Sequence, residues 1–278
     1  RKKPGSPSFA RLAFLVPCFS PLLFSPVGRI MQSAVFAIGE EELVEEKKYL
    51  VCERKSVFAL LTVSAGMMGA YTFNLRGGVF CNAQTANVVL MAMAIGQGNW
   101  LEGGYYLLPI SAYLAGAFLS EILPSPVRRF GFLRWDTYLV AFEVLLLFLI
   151  GFIPLSWPHH LVQVLVNFIA SMQYNTFRQA EGIPMATTFC TNQLRQVGVG
   201  LAKAVRKHDR EGLHRGLFFL GMLGCFFAGG VLSTAVCGFF GAKAIWLNLL
   251  PLGIVLARLV HADLTDEKEL LYRKPSGH

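Results

Sequence analysis

Polar side chains interrupt an otherwise apolar stretch of the chain and are the first candidates for binding chemistry. Four of them stand in the segment Val79–Ile95, which otherwise has the composition of a membrane helix: Asn82, Gln84, Thr85 and Asn87. A polar group without a partner is costly in hydrocarbon, so such side chains face protein, water or a ligand. The pair Gly77-Gly78 comes just before them, and a break there leaves backbone donors at a helix N-terminus, where anionic or dipolar groups are favoured.

Two further polar sets lie in the second half of the chain. One stands at the start of the segment Met185–Val205 and consists of Thr187, Thr188, Thr191, Asn192 and Gln193. The other lies in the preceding segment, at spacings that place its members on one helical face: Gln163, Asn167, Ser171, Tyr174 and Arg178. Such amides and hydroxyls suit hydrogen bonds to a small polar solute better than trapping of a bare divalent metal. The alternative is that they bond one another and hold short helices in place.

Glu143 is the acidic side chain that lies well inside an apolar segment, within the run LVAFEVLLLF. A carboxyl group in such a place is a functional candidate, here for coupling transport to a proton. The alternative is that Glu143 lies near the cytoplasmic interface, two turns from Asp136, and snorkels or pairs with Arg134.

The sequence carries no recognisable catalytic or cofactor motif. It has no Walker loop, no HExxH pair, no dinucleotide fingerprint and no nucleophile with a matching base. The six cysteines form neither a CxxC pair nor a Cys/His cluster with metal spacing, so they indicate small apolar packing residues. We therefore expect no enzymatic activity, no cofactor and no bound metal.

The composition indicates a polytopic membrane protein. The chain is 54% hydrophobic and 15% charged, whereas soluble domains carry about 25% charged residues. The net charge of +8 comes from Lys and Arg in loops beside apolar segments, which follows the positive-inside rule and does not indicate nucleic acid. Eight apolar segments predict an all-α membrane fold: Val57–Phe73, Val79–Ile95, Tyr105–Leu123, Thr137–Ile153, Leu161–Phe177, Met185–Val205, Leu217–Val236 and Ala244–Leu259.

The segments repeat and their charges favour six spans. A shift of 106 residues brings the starts of the first, third and fourth segments near those of the fifth, seventh and eighth, which predicts two halves of matching layout. At this shift Gly69 meets Asn175, which joins the polar candidates. If the second and sixth segments are re-entrant, the Arg-rich loops and both termini are cytoplasmic, and the loops Gln97–Gly104 and Ser156–His160, free of Lys and Arg, are outside.

With three spans in each half the halves are inverted, an arrangement common in secondary transporters. The alternative is eight plain spans, with one loop against the rule. The predicted organisation is a leader and amphipathic cytoplasmic segment (1–55), a first membrane half (56–155), a second membrane half (156–262) and a cytoplasmic tail (263–278). Residues 1–30 begin with Arg1, and three prolines interrupt their apolar run. We expect an over-extended reading frame or a disordered leader there rather than a signal peptide, with Met31 as a start.

One stretch resembles a known family. The residues GGVFCNAQTANVVLMAMAIGQG, at 77–98, resemble the signature of the YoaK-type integral membrane proteins, a family of unknown function whose signature is written GGVFANAQTGNVV. The resemblance implies a membrane address and a hydrophobic layout, and no assigned substrate. Ala86 departs from the usual Gly, and Gly69 stands where members often carry an acidic residue or Asn.

The function we expect is a carrier or channel in the cytoplasmic membrane for a small polar or anionic solute. The alternative is a non-transporting membrane scaffold or a partner-binding subunit, in which the polar residues are structural. The expected partners are the lipid bilayer and an unidentified solute, and not nucleic acid; self-association into a homo-oligomer is left open. The expected solute-binding residues are Asn82, Gln84, Thr85, Asn87, Asn167, Asn175, Thr187, Thr188 and Thr191.

Overall fold

The computed structural model describes residues 49–127 and 131–275. The leader 1–30 and two arginines of the first Arg-rich loop, Arg128 and Arg129, lie outside the described residues, so the predictions made for them stay predictions. Within the described part the chain is mostly helical, as predicted. The eight long helices of this part are α1 (Lys55–Leu75), α2 (Gln84–Gly96), α3 (Trp100–Ile122), α4 (Trp135–Ile150), α5 (His159–Thr176), α6 (Cys190–Lys207), α7 (Arg210–Phe240) and α8 (Leu249–Leu264).

Short elements join the helices. Three stretches of 3-10 helix occur among them, at Val51–Glu53, Gly241–Asn248 and Lys268–Leu270, and a short helical turn covers Pro124–Val127. A two-stranded antiparallel hairpin follows α5, with β1 at Gln179–Ala180 and β2 at Ile183–Pro184. Its two-residue turn has positive φ at Glu181 and Gly182, as the twist of a tight hairpin requires. Pro184, the residue before the predicted segment Met185–Val205, lies in this hairpin.

The helices run between two ends of the bundle. At the first end α1 and α4 finish and α5 begins. There the Gln163 side chain of α5 donates a hydrogen bond to Arg76 O, just beyond α1. The Arg76 guanidinium in turn donates to Ile153 O at 2.7 Å and to Pro154 O at 3.0 Å, beyond α4. Because these carbonyls follow a helix C-terminus, they are suited to a cation.

At the second end α1 begins and both α3 and α5 finish. Lys55 Nζ of α1 lies 2.8 Å from Glu181 Oε2 of the hairpin that follows α5. Arg178 Nη2 lies 2.9 Å from Glu121 Oε2, at the end of α3. The helices α1 and α5 therefore run in opposite directions.

Glycines allow the longest helices to cross closely. A Cβ added at Gly66 of α1 would collide with Phe226 O of α7, and one added at Gly229 of α7 would collide with Val63 O of α1. Gly116 of α3 lies in the same way against Phe168 O of α5. Small residues at such positions allow backbone contact between helices, as in membrane bundles.

The helix α2 begins at the middle of the bundle. Asn82 Nδ2, two residues before α2, donates to Ala65 O at 3.0 Å, and Ala65 is the central residue of α1. Gln84 Nε2, in the first residue of α2, donates to Asn167 Oδ1 at 2.7 Å, near the centre of α5. With 13 residues, α2 is about 20 Å long, which is about half of a bilayer with its headgroups.

The helix α6 also begins at mid-height, from the opposite side. Gly200 of α6 lies against Gly212 and Gly216, in the first two turns of α7. Cys190 precedes Gly200 by ten residues and is therefore about 15 Å further than Gly200 from the second end. This is the level at which Phe226 of α7 contacts Gly66 of α1. In both cases the predicted segment includes about five non-helical residues before its helix, namely 79–83 and 185–189.

The outward surface is strongly apolar. Two stretches are long and apolar enough to cross a membrane, Lys55–Leu75 and Arg210–Leu264, and the second is mostly unburied within the protein. Large apolar side chains are exposed along the helices, among them Leu114, Phe118, Leu145, Phe227, Phe239 and Leu250. A surface of this kind is far beyond the scattered apolar residues of a soluble monomer.

Candidate functional site

Amides of the first predicted polar set bond one another and Asn167 of α5 at the start of α2. Gln84 Nε2 donates to Asn167 Oδ1 at 2.7 Å, and Gln84 Oε1 accepts from Asn87 Nδ2 at 3.2 Å. Asn167 Nδ2 donates to Gln163 O at 2.8 Å. We call Gln84, Asn87, Asn167 and Asn82 the amide chain. Most of its hydrogen-bonding capacity is used inside the protein.

Two members of the amide chain hold the non-helical segment that leads into α2. Asn87 donates to Phe80 O at 2.7 Å and accepts from Phe80 N–H at 3.2 Å, so one side chain satisfies both backbone groups of that residue. Asn82, besides its bond to Ala65 O, lies 3.1 Å from where a Cβ of Gly69 would stand. The absence of a side chain at Gly69 thus makes room for the Asn82 amide.

Two predicted members of the site lie elsewhere. The side chains of Thr85 in α2 and Thr191 in α6 are exposed, on helix faces that point away from the buried amides. The structure therefore does not bring either of them together with the other candidates. The sequence could not separate them, because hydropathy does not show where α2 and α6 begin and therefore does not fix the face on which each threonine lies.

The second polar set, at the start of α6, is buried and incompletely bonded. Thr187 is 0% exposed and Thr188 is 3% exposed, and neither hydroxyl has a hydrogen-bond partner among the described residues. Gln193 Nε2 donates to Ala186 O at 3.0 Å, whereas Gln193 Oε1 has no partner within the same part of the chain. Buried polar groups are almost always bonded, so such a cluster points to a ligand or ordered water.

A polar pocket of about 400 Å³ opens beside this set. Asn175, Arg178 and Asn192 line it, together with Ala186, whose carbonyl holds Gln193. The Arg178 guanidinium is oriented by Asn175, since its Nε donates to Asn175 O at 2.7 Å and its Nη2 to Asn175 Oδ1. Asn175 Nδ2 donates onward to Ser120 Oγ at 2.9 Å, which fixes the wall of the pocket to α3.

Glu143 lies at the centre of α4 and is 0% exposed. Neither carboxyl oxygen has a hydrogen-bond partner within residues 49–127 and 131–275. The alternative of an ion pair with Arg134 is wrong, because that guanidinium is held by Asp136, with Nε–Oδ1 at 3.2 Å. An ionised carboxylate without a partner is very costly at such a site.

A buried ionic cluster at the second end was not anticipated from the sequence. Arg134 N–H donates to Asp263 Oδ2 at 2.9 Å, which joins the start of α4 to the end of α8. Glu267 Oε1 accepts from Val51 N–H at 2.6 Å. Burial acts to lower the pKa of the Arg134 guanidinium, but the nearby acids, Asp136 foremost, bring the net pKa above its usual value. Burial raises the pKa of the Glu267 carboxyl, against the opposing effect of the Val51 hydrogen bond.

The hydroxyl of the half-buried Tyr113, in α3, is a second buried group that the sequence did not single out. Its hydroxyl has no hydrogen-bond partner among the described residues. The ring of Tyr174, in α5, packs edge-on against Phe189 at the start of α6, with ring centroids 4.9 Å apart. A tyrosine in an apolar helix is usually a packing residue. The sequence therefore did not indicate that the Tyr113 hydroxyl is buried without a partner among the described residues.

Comparison with known proteins places the chain in a family. The family described as protein of unknown function (DUF1275) matches residues 57–258, which include α2, α6 and both polar sets. No curated protein and no solved structure matches the chain significantly. The matched region covers most of the chain and confirms the resemblance carried by residues 77–98, so the chain belongs to the DUF1275 family of YoaK-type membrane proteins.

Proposed function

We propose that this protein is a carrier for a small polar or anionic solute, with six membrane spans and two re-entrant half-helices, α2 and α6. One observation carries the proposal: both half-helices begin at mid-height beside α1, and a buried, incompletely bonded polar set precedes α6. Non-helical backbone at membrane depth is tolerated where it is covered by protein or lines a cavity. Discontinuous helices of this kind form midplane binding sites in secondary transporters.

The apolar surface supports a membrane location. The exposed apolar side chains lie on α3, α4, α7 and α8, and lipid is the surrounding that makes them favourable. The charges support an orientation with the second end in the cytoplasm. That end carries Lys55, Arg206 and Lys207, whereas Gln97–Gly104 and Ser156–His160 contain no Lys or Arg.

Several correspondences support two inverted halves. Gln84 and Cys190, which begin the half-helices, differ by 106 positions, which is the shift proposed from the sequence. The close crossing of α1 with α7 is matched by that of α5 with α3. The bond from Asn87 to Phe80 O is matched by that from Gln193 to Ala186 O, again 106 positions later for both partners.

The two polar sets then have different roles in the proposal. The amide chain shapes the segment before α2, because its groups are already bonded to one another or to the backbone. Solute contact is assigned to the side where groups remain available, at Thr187, Thr188 and the pocket lined by Asn175. Glu143 is the proposed site of proton coupling, since a buried carboxyl that bonds none of the described residues can exchange a proton without breaking a bond to them.

The second candidate function is a non-transporting membrane scaffold. It is favoured by the amide chain itself, whose closed bonding is what a structural role requires. Thermal unfolding of the purified full chain with a panel of neutral and anionic solutes separates the two candidates. A ligand that binds the folded state raises its apparent stability. The carrier requires a concentration-dependent rise in Tm with at least one class of solute, and no rise with any solute would favour the scaffold.

A further inference from the structure

The start of α6 combines several features that favour a negative charge. The helix is 18 residues long, and Phe189 at its N-cap supplies no side-chain hydrogen bond. The first N–H groups of a helix lack intrahelical partners and carry partial positive charge. A helix that begins at the surface can bond water there, whereas the start of α6 lies at mid-height of the bundle.

The hydroxyls of Thr187 and Thr188 add an independent observation. Both are more than nine-tenths buried and without a partner among the described residues, and they stand directly between Ala186, which lines the pocket, and Phe189. A buried hydroxyl without a hydrogen-bond partner destabilises the folded state. Bonding within the protein therefore does not explain these two hydroxyls, whereas a bound ligand would. Each hydroxyl can donate to an oxygen atom of a ligand.

The charge around the pocket is cationic on balance. Arg178 lines it directly. Arg195, one turn along α6, donates to Asn192 Oδ1 at 3.0 Å, and Asn192 is also part of the lining. Arg178 is paired with Glu121 at 2.9 Å, so the exposed Arg195 supplies the excess positive charge of these three residues. A guanidinium that already lies in a fixed orientation is suited to a planar carboxylate.

We infer that the pocket at the start of α6, lined by Asn175, Arg178 and Asn192, binds a small carboxylate at the cytoplasmic end. The Arg178 guanidinium holds the charge beside Asn175 and Asn192, and the Thr187 and Thr188 hydroxyls, which are not part of the lining in this structure, reach the carboxylate oxygens only when the acid is bound. This inference rests on the proposed carrier function and names the class of its solute. A cavity of about 400 Å³ is within the range of small-molecule pockets, so it accommodates a small acid without itself setting an upper limit near that size.

Binding to the purified full chain tests the inference with three pairs of probes. Acetate, lactate and malonate are compared with acetamide, lactamide and malonamide, which keep the shape and lose the charge. We expect at least one acid to raise Tm in a saturable way and its amide to have no effect. Arg178→Gln should weaken that acid at least tenfold, which corresponds to about 1.4 kcal/mol. Arg206→Gln, the same change at the exposed far end of α6, should leave the affinity unchanged.

Thr188→Val is a second test variant, in case Arg178→Gln fails to fold. It removes a hydroxyl that bonds no described residue and keeps the side-chain shape, so it should fold. It should retain the wild-type Tm without ligand and lose most of the rise with the acid. Equal stabilisation by acid and amide would overturn the carboxylate class and leave the carrier proposal intact. Wild-type affinity in both Arg178→Gln and Thr188→Val would overturn this pocket as the site. No stabilisation by any probe, charged or neutral, would count against the carrier itself.

Discussion

Replacing Asn87 by Leu and Thr188 by Val should have opposite consequences for stability, although both residues are buried polar groups beside a half-helix. Asn87 makes three hydrogen bonds, to Phe80 O, from Phe80 N–H and to Gln84 Oε1, at 2.7, 3.2 and 3.2 Å. Thr188 Oγ1 makes none among the described residues. Both substitutions keep the number and branching of the side-chain heavy atoms, so the loss of hydrogen bonding is the main difference between them.

The expected magnitudes follow from the bonds. Hydrogen bonds inside membrane bundles average about 0.6 kcal/mol, so three of them account for about 2 kcal/mol. Asn87→Leu also leaves the N–H and C=O of Phe80 without partners, at a cost of about 1–3 kcal/mol for each such group when it stays buried. Because Phe80 is only half-buried, water can replace part of the lost bonding, and we expect a total loss of about 4 kcal/mol, the lower end of this sum. Thr188→Val should change the free energy of unfolding by less than about 0.5 kcal/mol or increase it, because it removes a polar group that bonds no described residue.

The assay is reversible unfolding of the purified protein in mixed micelles, followed by far-ultraviolet circular dichroism. Thr85→Val serves as the exposed control, since Thr85 lies outside the amide chain. A loss of 2 kcal/mol or more in Thr188→Val, estimated here as about the cost of a bonded hydroxyl, would show that this hydroxyl has a structural partner. Equal stability of Asn87→Leu and wild type would refute the claim that Asn87 stabilises the protein by bonding both backbone groups of Phe80.

Three further predictions test other parts of the account. Glu143→Gln should abolish the pH dependence of solute uptake and retain solute binding, because the amide keeps the shape but cannot titrate; uptake with unchanged pH dependence would remove Glu143 from coupling. Cysteines placed at Gln97 and Phe132 should react with an impermeant reagent from opposite faces of the membrane, and reaction from one face would exclude the single span α3 between them. The raised pKa of Glu267 means that the folded state keeps this proton to higher pH than the unfolded state. The free energy of unfolding should therefore fall as pH rises from the unfolded value of about 4.3 through the folded value, and Glu267→Gln should flatten that slope.

The sequence was a good guide to the number and position of the helices. Each predicted apolar segment contains one helix, because a run of about 17 apolar residues has few other stable forms. It was less accurate at the starts of α2 and α6. Residues 79–83 and 185–189 are as apolar as the helices that follow, so hydropathy could not reveal that their backbone is non-helical.

The candidate site was recovered in part. The types and spacing of Asn82, Gln84, Asn87 and Asn167 indicated a polar group in the interior, and these residues do lie together. Whether an amide is already bonded depends on its partners from other helices, and a single sequence does not contain that information. For the same reason it became clear only in the fold that the hydroxyls of Thr187 and Thr188 bond no described residue.

The ionic cluster around Arg134 shows a different limit. Arg134, Asp263 and Glu267 stand near helix ends, where charged residues are usually solvated, so nothing in their local sequence predicts burial. They come together because α4 begins where α8 ends, at a separation of 129 positions between Arg134 and Asp263. Contacts at such separation follow from the packing of the halves and not from local pattern.

Uptake by liposomes that contain the purified full chain tests the central claim most directly. Radiolabelled acetate, lactate or malonate would be supplied outside, with an inward proton gradient, and the trapped label would be counted over time. The account predicts saturable uptake of at least one acid, competition by the same unlabelled acid, and loss of uptake in Arg178→Gln with retention in Arg206→Gln. Uptake equal to that of protein-free liposomes, from a preparation that is folded and correctly inserted, for these acids and for neutral solutes alike, would contradict the proposal of a carrier.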